Sequence, residues 1–169
     1  LLLSARNIQN GYLALDNVDY VPEDEYTRII KRCNPEPGDI LISCSGTIGR
    51  VCRVPKNLKF VMVRSVALVK LDWSTNSSKF YEYLFQSPIL QRHIEKSKKA
   101  TAQANLFLGP IKNLDVIVCS IEEQERIVSE LESKLTVCDK IEETISQSLK
   151  QIETLRQSIL KKAFEGRLV

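Results

Sequence analysis

Arg92, Lys96, Lys98 and Lys99 run directly into Gln103 and Asn105, all within fourteen residues. Cations in that pattern can meet phosphate oxygens, and the two amides can bond the edge of an adenine bidentately, so the run combines backbone positioning with base reading beside a polar loop. Arg50, Arg53 and Arg64, on candidate hairpins, are alternative base contacts. The remaining reactive residues do not assemble into catalysis. Ser43-Cys44-Ser45-Gly46 lacks the glycine two positions before the serine that a nucleophile elbow needs. Asn34-Pro35-Glu36-Pro37 lacks the consecutive prolines and the aromatic of an amino-methyltransferase motif, and no glycine-rich cofactor loop precedes it.

Gly46-Thr47-Ile48-Gly49 has the spacing of the KH clamp, but that clamp joins two helices, whereas strand-like runs flank this one. The single histidine, His93, stands between Arg92 and Glu95 with no partner for general-base work. Five scattered cysteines, never closer than eight positions, form neither a disulfide framework nor a metal knuckle. The sequence therefore predicts no catalytic residue, no metal and no cofactor.

Charge is distributed unevenly. Leu1 to Asp39 holds four basic and seven acidic residues, net −3; Ile40 to Cys119 holds twelve and four, net +8; Ser120 to Val169 holds eight and ten, net −2. The plain reading of the middle block is a solvated basic surface; the functional reading is the electrostatic footprint of a phosphate-binding face.

The elements that must carry these residues are mixed. Asn10-Gly11 between short apolar runs predicts a hairpin over 8–21. Pro22 and the acidic Glu23-Asp24-Glu25 open a helix that runs to about Arg32 and stops before Pro35. Residues 38–54 read as a second hairpin about a Ser-Gly-Thr-Ile-Gly turn, and 60–71 as a β-branched strand bent near Ser65. Asn76 and Ser77 offer a cap for a helix over 79–86, Ser87-Pro88 starts another over 89–96, and Asp115 to Cys119 is the last strand candidate. Without a regular βαβ repeat, the fold class is α+β: a twisted, mostly antiparallel sheet with short helices.

Ser120-Ile121-Glu122-Glu123 is a capping box, and the helix it starts is the strongest element of the chain. Ile127, Leu131, Leu135, Cys138, Ile141, Ile145, Leu149, Ile152, Leu155, Ile159 and Ala163 recur with a mean spacing of 3.6, one face of a straight helix. Glutamates at its start and Lys161 and Lys162 at its end match the macrodipole, and Gly166 is placed to cap it. From Glu122 to Phe164 it would extend about 64 Å at about 1.5 Å per residue, beyond the diameter of a domain this size, so its far part must pack on another long helix. The predicted domains are 1–119, recognition, and 120–169, spacer helix. The chain starts at Leu1 and carries neither signal peptide nor membrane span, which reads as a cut in a longer, cytoplasmic protein.

Three stretches, GDILISCSGTIGR (38–50), TAQANLFLGPIKNLDVIVCSIEEQERI (101–127) and LRQSILKKAFEGRLV (155–169), together with the opening ARNIQNGYL, resemble the specificity subunits of type I restriction-modification enzymes. In that family a proline-containing stretch usually precedes the Glu-Gln pair; Val116 to Ile121 has none. The resemblance implies one half of a subunit, the C-terminal half. Two recognition domains would be held apart by antiparallel helices, each reading one half of a bipartite duplex DNA site. Modification subunits bearing S-adenosylmethionine chemistry and restriction subunits would dock on it, and the half itself would be non-catalytic. An isolated half is expected to form a homodimer through Leu135, Ile141, Ile145, Leu149, Ile152, Leu155 and Ile159 in an antiparallel coiled-coil-like pair. Two rival readings are a helical scaffold that never touches nucleic acid and a module for RNA or single strands.

Overall fold

In the computed structural model, residues 1–99 and 111–167 are described. Contacts divide the chain into two units, Leu1–Glu125 and Arg126–Val169.

The first unit is α+β. Strand β1 (Leu2–Leu3), a single 3-10 turn (Ala5–Asn7), β2 (Ile8–Gln9), β3 (Tyr12–Leu13), helix α1 (Glu23–Ile30), β4 (Ile40–Ser43), β5 (Val51–Arg53), β6 (Val61–Met62), β7 (Val66–Val69), α2 (Ser78–Gln86) and α3 (Pro88–Lys99) follow in order. The single twisted sheet expected from sequence is divided into three: an antiparallel β5-β4-β7 sheet, an antiparallel β2–β3 hairpin, and a parallel β1–β6 pair. The apolar run 60–71 does bend near Ser65, and sharply enough that its two halves join different sheets. β4 is buried at all four residues, so the central sheet is covered on both faces. Leu41 and Cys52 pack with Leu3, Ile8, Phe60 and Met62 on one side, while α2, with Phe80, Tyr81 and Phe85 buried, lies against β4 and β5.

The turns and caps are those the residues dictate. Ser77 Oγ accepts the Phe80 N–H at 3.3 Å, and Ser87 Oγ accepts that of Leu90 at 3.4 Å with Pro88 in the first helical position, where its missing N–H costs nothing. Buried Asp39 accepts from Glu36 N–H (2.8 Å) and Trp73 Nε1–H (3.0 Å) and pairs with Lys70 (2.7 Å). Burial opposes the Lys70 charge, but Asp39 and Glu36 outweigh it and hold the amine above the ordinary lysine range.

Asp115 to Cys119 is not a strand, contrary to expectation. Val116, Ile117 and Val118 stand exposed, so the β-branched composition finds no ladder to join. The long helix α4 (Ile121–Phe164) starts directly after them. Ser120 Oγ caps it by accepting from Glu123 N–H at 3.4 Å. Glu122, rather than Glu123, supplies the carboxylate: its own N–H and the Ser120 hydroxyl hold it below the usual range. Buried Gln124 ties this start into the first unit, donating to Cys119 O (2.9 Å) and accepting from Ser77 N–H (2.8 Å).

The second unit is the remainder of α4. Its apolar stripe is exposed along almost its whole length, with Leu149 and Ile152 at 62%. After its last residue, Phe164, the helix is capped by Gly166, whose φ of 71° lets Arg167 N–H reach back to Lys162 O at 2.8 Å.

Candidate nucleic-acid interface

Strand register decides which candidate cations meet. Ile42 pairs with Val51 and Ala67, and Ser43 with Val66, so the end of β4 and the starts of β5 and β7 form one end of the central sheet. Arg50 immediately precedes β5 there, and Cys44 N–H donates to Ser65 O at 2.7 Å, which brings Arg64 to the same end. Between them the turn is tightly fastened. Ser43 Oγ accepts from Arg50 N–H (2.9 Å) and donates to Thr47 O (2.5 Å). Gly49 N–H donates to Ser43 O (2.9 Å), and Gly49 O accepts from Gln91 Nε2–H (2.8 Å). Gly49 sits at φ 92°, a conformation that favours glycine, and a Cβ there would stand 2.7 Å from Gln91 Oε1, so the Gln91 amide would have to shift.

Gln91 carries α3 to this turn, and Arg92, the next residue, points away from the buried Leu90 and Ile94 with His93 and Lys96. Asn10 and Gly11 arrive from the other side, with Asn10 Oδ1 accepting from Val51 N–H at 3.1 Å and Gly11 N–H donating to Val51 O at 2.9 Å. That places Tyr12, 62% exposed, beside β5. The sheet end therefore places Arg50 and Arg64 beside one hydrogen-bonded turn, and Arg92 follows the Gln91 that bonds it, with Arg92 Nε–H donating to Pro88 O at 3.0 Å. None of the three has an ion pair among the described residues.

Arg53 is placed otherwise. It sits at the far end of β5, opposite Ile40, with Nε 2.6 Å from Oε2 of buried Glu82. Its backbone N–H donates to the same carboxylate at 3.2 Å. Lys98 and Lys99 close α3, but their side chains, together with Gln103 and Asn105, lie outside the described residues. The sequence reading gave no role to Arg28 and Arg32; both line one cavity with Arg64. Only that spatial coincidence reveals them, since they come from a segment of net negative charge.

Phe80, Tyr81 and Phe85 are packed inside and offer no stacking platform for unpaired bases. Among the described residues no three His, Cys, Asp or Glu side chains could together hold a metal, and no helix is long and apolar enough to cross a membrane.

Residues 5–151 match the family described as the type I restriction modification DNA specificity domain. The chain belongs to that family. A curated member, the type I restriction enzyme EcoBI specificity subunit of Escherichia coli, is 31% identical over 167 residues, which is 99% of this chain and 35% of that subunit. The chain thus spans about a third of that relative's length. Its fold matches the crystal structure of the HsdS subunit from Thermoanaerobacter tengcongensis with a TM-score of 0.69 at 15% identity, over 95% of this chain and 42% of that one. It also matches a chain from a structural study of complex assembly and conformational transition in the type I R-M system, with a TM-score of 0.63 at 24% identity, over 79% and 33% of the two chains. Both likenesses show the α+β fold with its long helix.

Proposed function

We propose that the first unit recognises duplex DNA in a sequence-specific way and reads one half of a bipartite site for a cytoplasmic type I restriction-modification complex. The observation that carries this reading is the sheet end, where Arg50 and Arg64 stand beside one hydrogen-bonded turn and Arg92 follows the Gln91 that bonds it, none with a carboxylate partner among the described residues. Guanidinium groups without a carboxylate partner suit phosphates and guanine edges. Gln103 and Asn105, with Lys96, Lys98 and Lys99, extend the same role from α3 into the following segment. The chain has no catalytic part in this reading. Modification and restriction subunits dock on it, and methylation and cleavage belong to them.

The second unit is the spacer. About a two-fold axis at residue 143, Ile127 meets Ile159, Leu131 meets Leu155 and Ile141 meets Ile145, with Glu125 beside Lys161, so the stripe is self-complementary in antiparallel pairing. In a full subunit its partner is the helix of the other half; in isolation it is a second copy. A salt-dependent binding assay separates the readings. A labelled duplex should be displaced by unlabelled duplex but not by single strands or RNA. A scaffold that avoids nucleic acid would show no binding, and a single-strand module would reverse the order.

A further inference from the structure

The cavity between α1, the β1–β6 pair and the turn after β6 is a site that neither the core nor the long helix uses. It holds about 530 Å³. Arg28, Arg32 and Arg64 line it above an apolar floor that includes Val21, Ile29 and Met62. Its lining contains a single carboxylate, Glu25, which is bonded to Arg28 at 2.6 Å. Arg32 and Arg64 have no ion pair among the described residues, so the cavity carries an excess of two positive charges. The packing of α1 on β6 brings Arg28 and Arg32, four residues apart, to one cavity with the distant Arg64.

A cationic rim over carbon suits a ligand that alternates anionic and apolar groups. The deoxyribose-phosphate chain does so: the phosphate takes bidentate N–H bonds from arginine, and the sugar presents carbon and hydrogen to the floor. An acidic peptide would satisfy the charge as well. Arg64 decides between them, because it lines the cavity and also adjoins the sheet-end turn through Ser65 and Cys44. A ligand that meets Arg64 at the sheet end therefore also meets a residue of the cavity. We propose that this cavity is a clamp for the sugar-phosphate backbone of DNA, placed beside the surface that reads the bases. The inference rests on the duplex-recognition reading and adds Arg28 and Arg32 to it.

The test is the salt dependence of binding of the whole chain to a mixed-sequence duplex, measured by fluorescence anisotropy for the wild type, Arg32→Ala and Arg32→Lys. Arg32 belongs to the cavity and not to the sheet end, is exposed and has no side-chain bonding partner among the described residues, and lysine keeps charge and bulk in place. The alanine variant should flatten the slope of log K against log salt by about 0.9, the value of one phosphate contact, while the lysine variant keeps the wild-type slope. Sequence preference should be the same in all three, since phosphate contacts carry no base information. A wild-type slope in the alanine variant would overturn the clamp while leaving duplex recognition standing. If that variant instead lost binding to poly-glutamate that the wild type retains, the cavity would belong to an acidic peptide. Absence of salt-dependent duplex binding by the wild type would remove both the clamp and the recognition reading.

Discussion

The two units use the same kinds of residue to opposite ends. In the first, Leu3, Ile8, Leu41 and Val61 have no exposed surface, and buried polar groups such as Asp39 and Glu82 are matched by bonded partners. In the second, Ile141, Ile145, Leu149, Ile152 and Leu155 are each more than half exposed on a helix of good propensity and no core. The comparison teaches that the first unit encloses a core and leaves arginines without counter-charges at its sheet end, whereas the second is complete as a helix and open in its apolar face. One surface suits a polyanion, and the other suits a second helix.

The largest expected effect lies on the helix. Burying six aliphatic side chains at about 1.5 kcal/mol each is worth about 9 kcal/mol gross per chain before ordering and association costs. Leu149→Glu with Ile152→Glu should therefore convert a dimer at tens of micromolar into a monomer in light scattering, without altering the unfolding midpoint of the first unit. A wild type that is monomeric at that concentration, or a double variant that stays dimeric, would erase the contrast between the units.

A smaller effect tests the completeness of the first unit. Arg53→Ala leaves the Glu82 carboxylate buried with only backbone support, which should cost about 1–3 kcal/mol in urea unfolding followed at Trp73, the chain's single tryptophan. The partial exposure of Arg53 places the value toward the low end. Its duplex salt slope should be unchanged; a slope flatter by about 0.9 would return Arg53 to the DNA face.

The smallest perturbation is chemical. Burial raises the Cys44 thiol to about 11 and the Cys52 thiol to about 12, so neither should react with a disulfide reagent near pH 8 until the first unit unfolds. Cys138, exposed on the stripe, should react at once in dilute protein and become protected as pairing fills with rising concentration. Equal reactivity of Cys138 at all concentrations would place it outside the paired face.

Local rules made much of this legible. The Asn10-Gly11 hairpin, the Ser77 and Ser87-Pro88 caps and the long helix with its 3.6 period all follow from interactions within a few residues. The misses are long-range. The β-branched run within Asp115 to Cys119 could not tell whether another strand stands alongside, and none does among the described residues. The parallel pairing of β1 with β6 joins positions about sixty residues apart, and it is this pairing that splits the run 60–71 between sheets. Arg53 looked like its neighbour Arg50 because Glu82, which claims it, is 29 residues away. Arg28 and Arg32 were hidden for the same reason, since nothing in an acidic segment announces that two of its three arginines will line a cavity with Arg64.

The most direct test of the whole account is selection from a pool of duplexes with a randomised centre, performed in parallel with the wild type and with the Leu149→Glu, Ile152→Glu variant. A recognition unit held by a pairing helix predicts that the wild type enriches two inverted copies of one short element at a fixed spacing. The variant should enrich a single copy. Failure of the wild type to enrich any sequence would contradict sequence-specific recognition, and an identical two-copy site from both proteins would contradict the division of labour between head and helix.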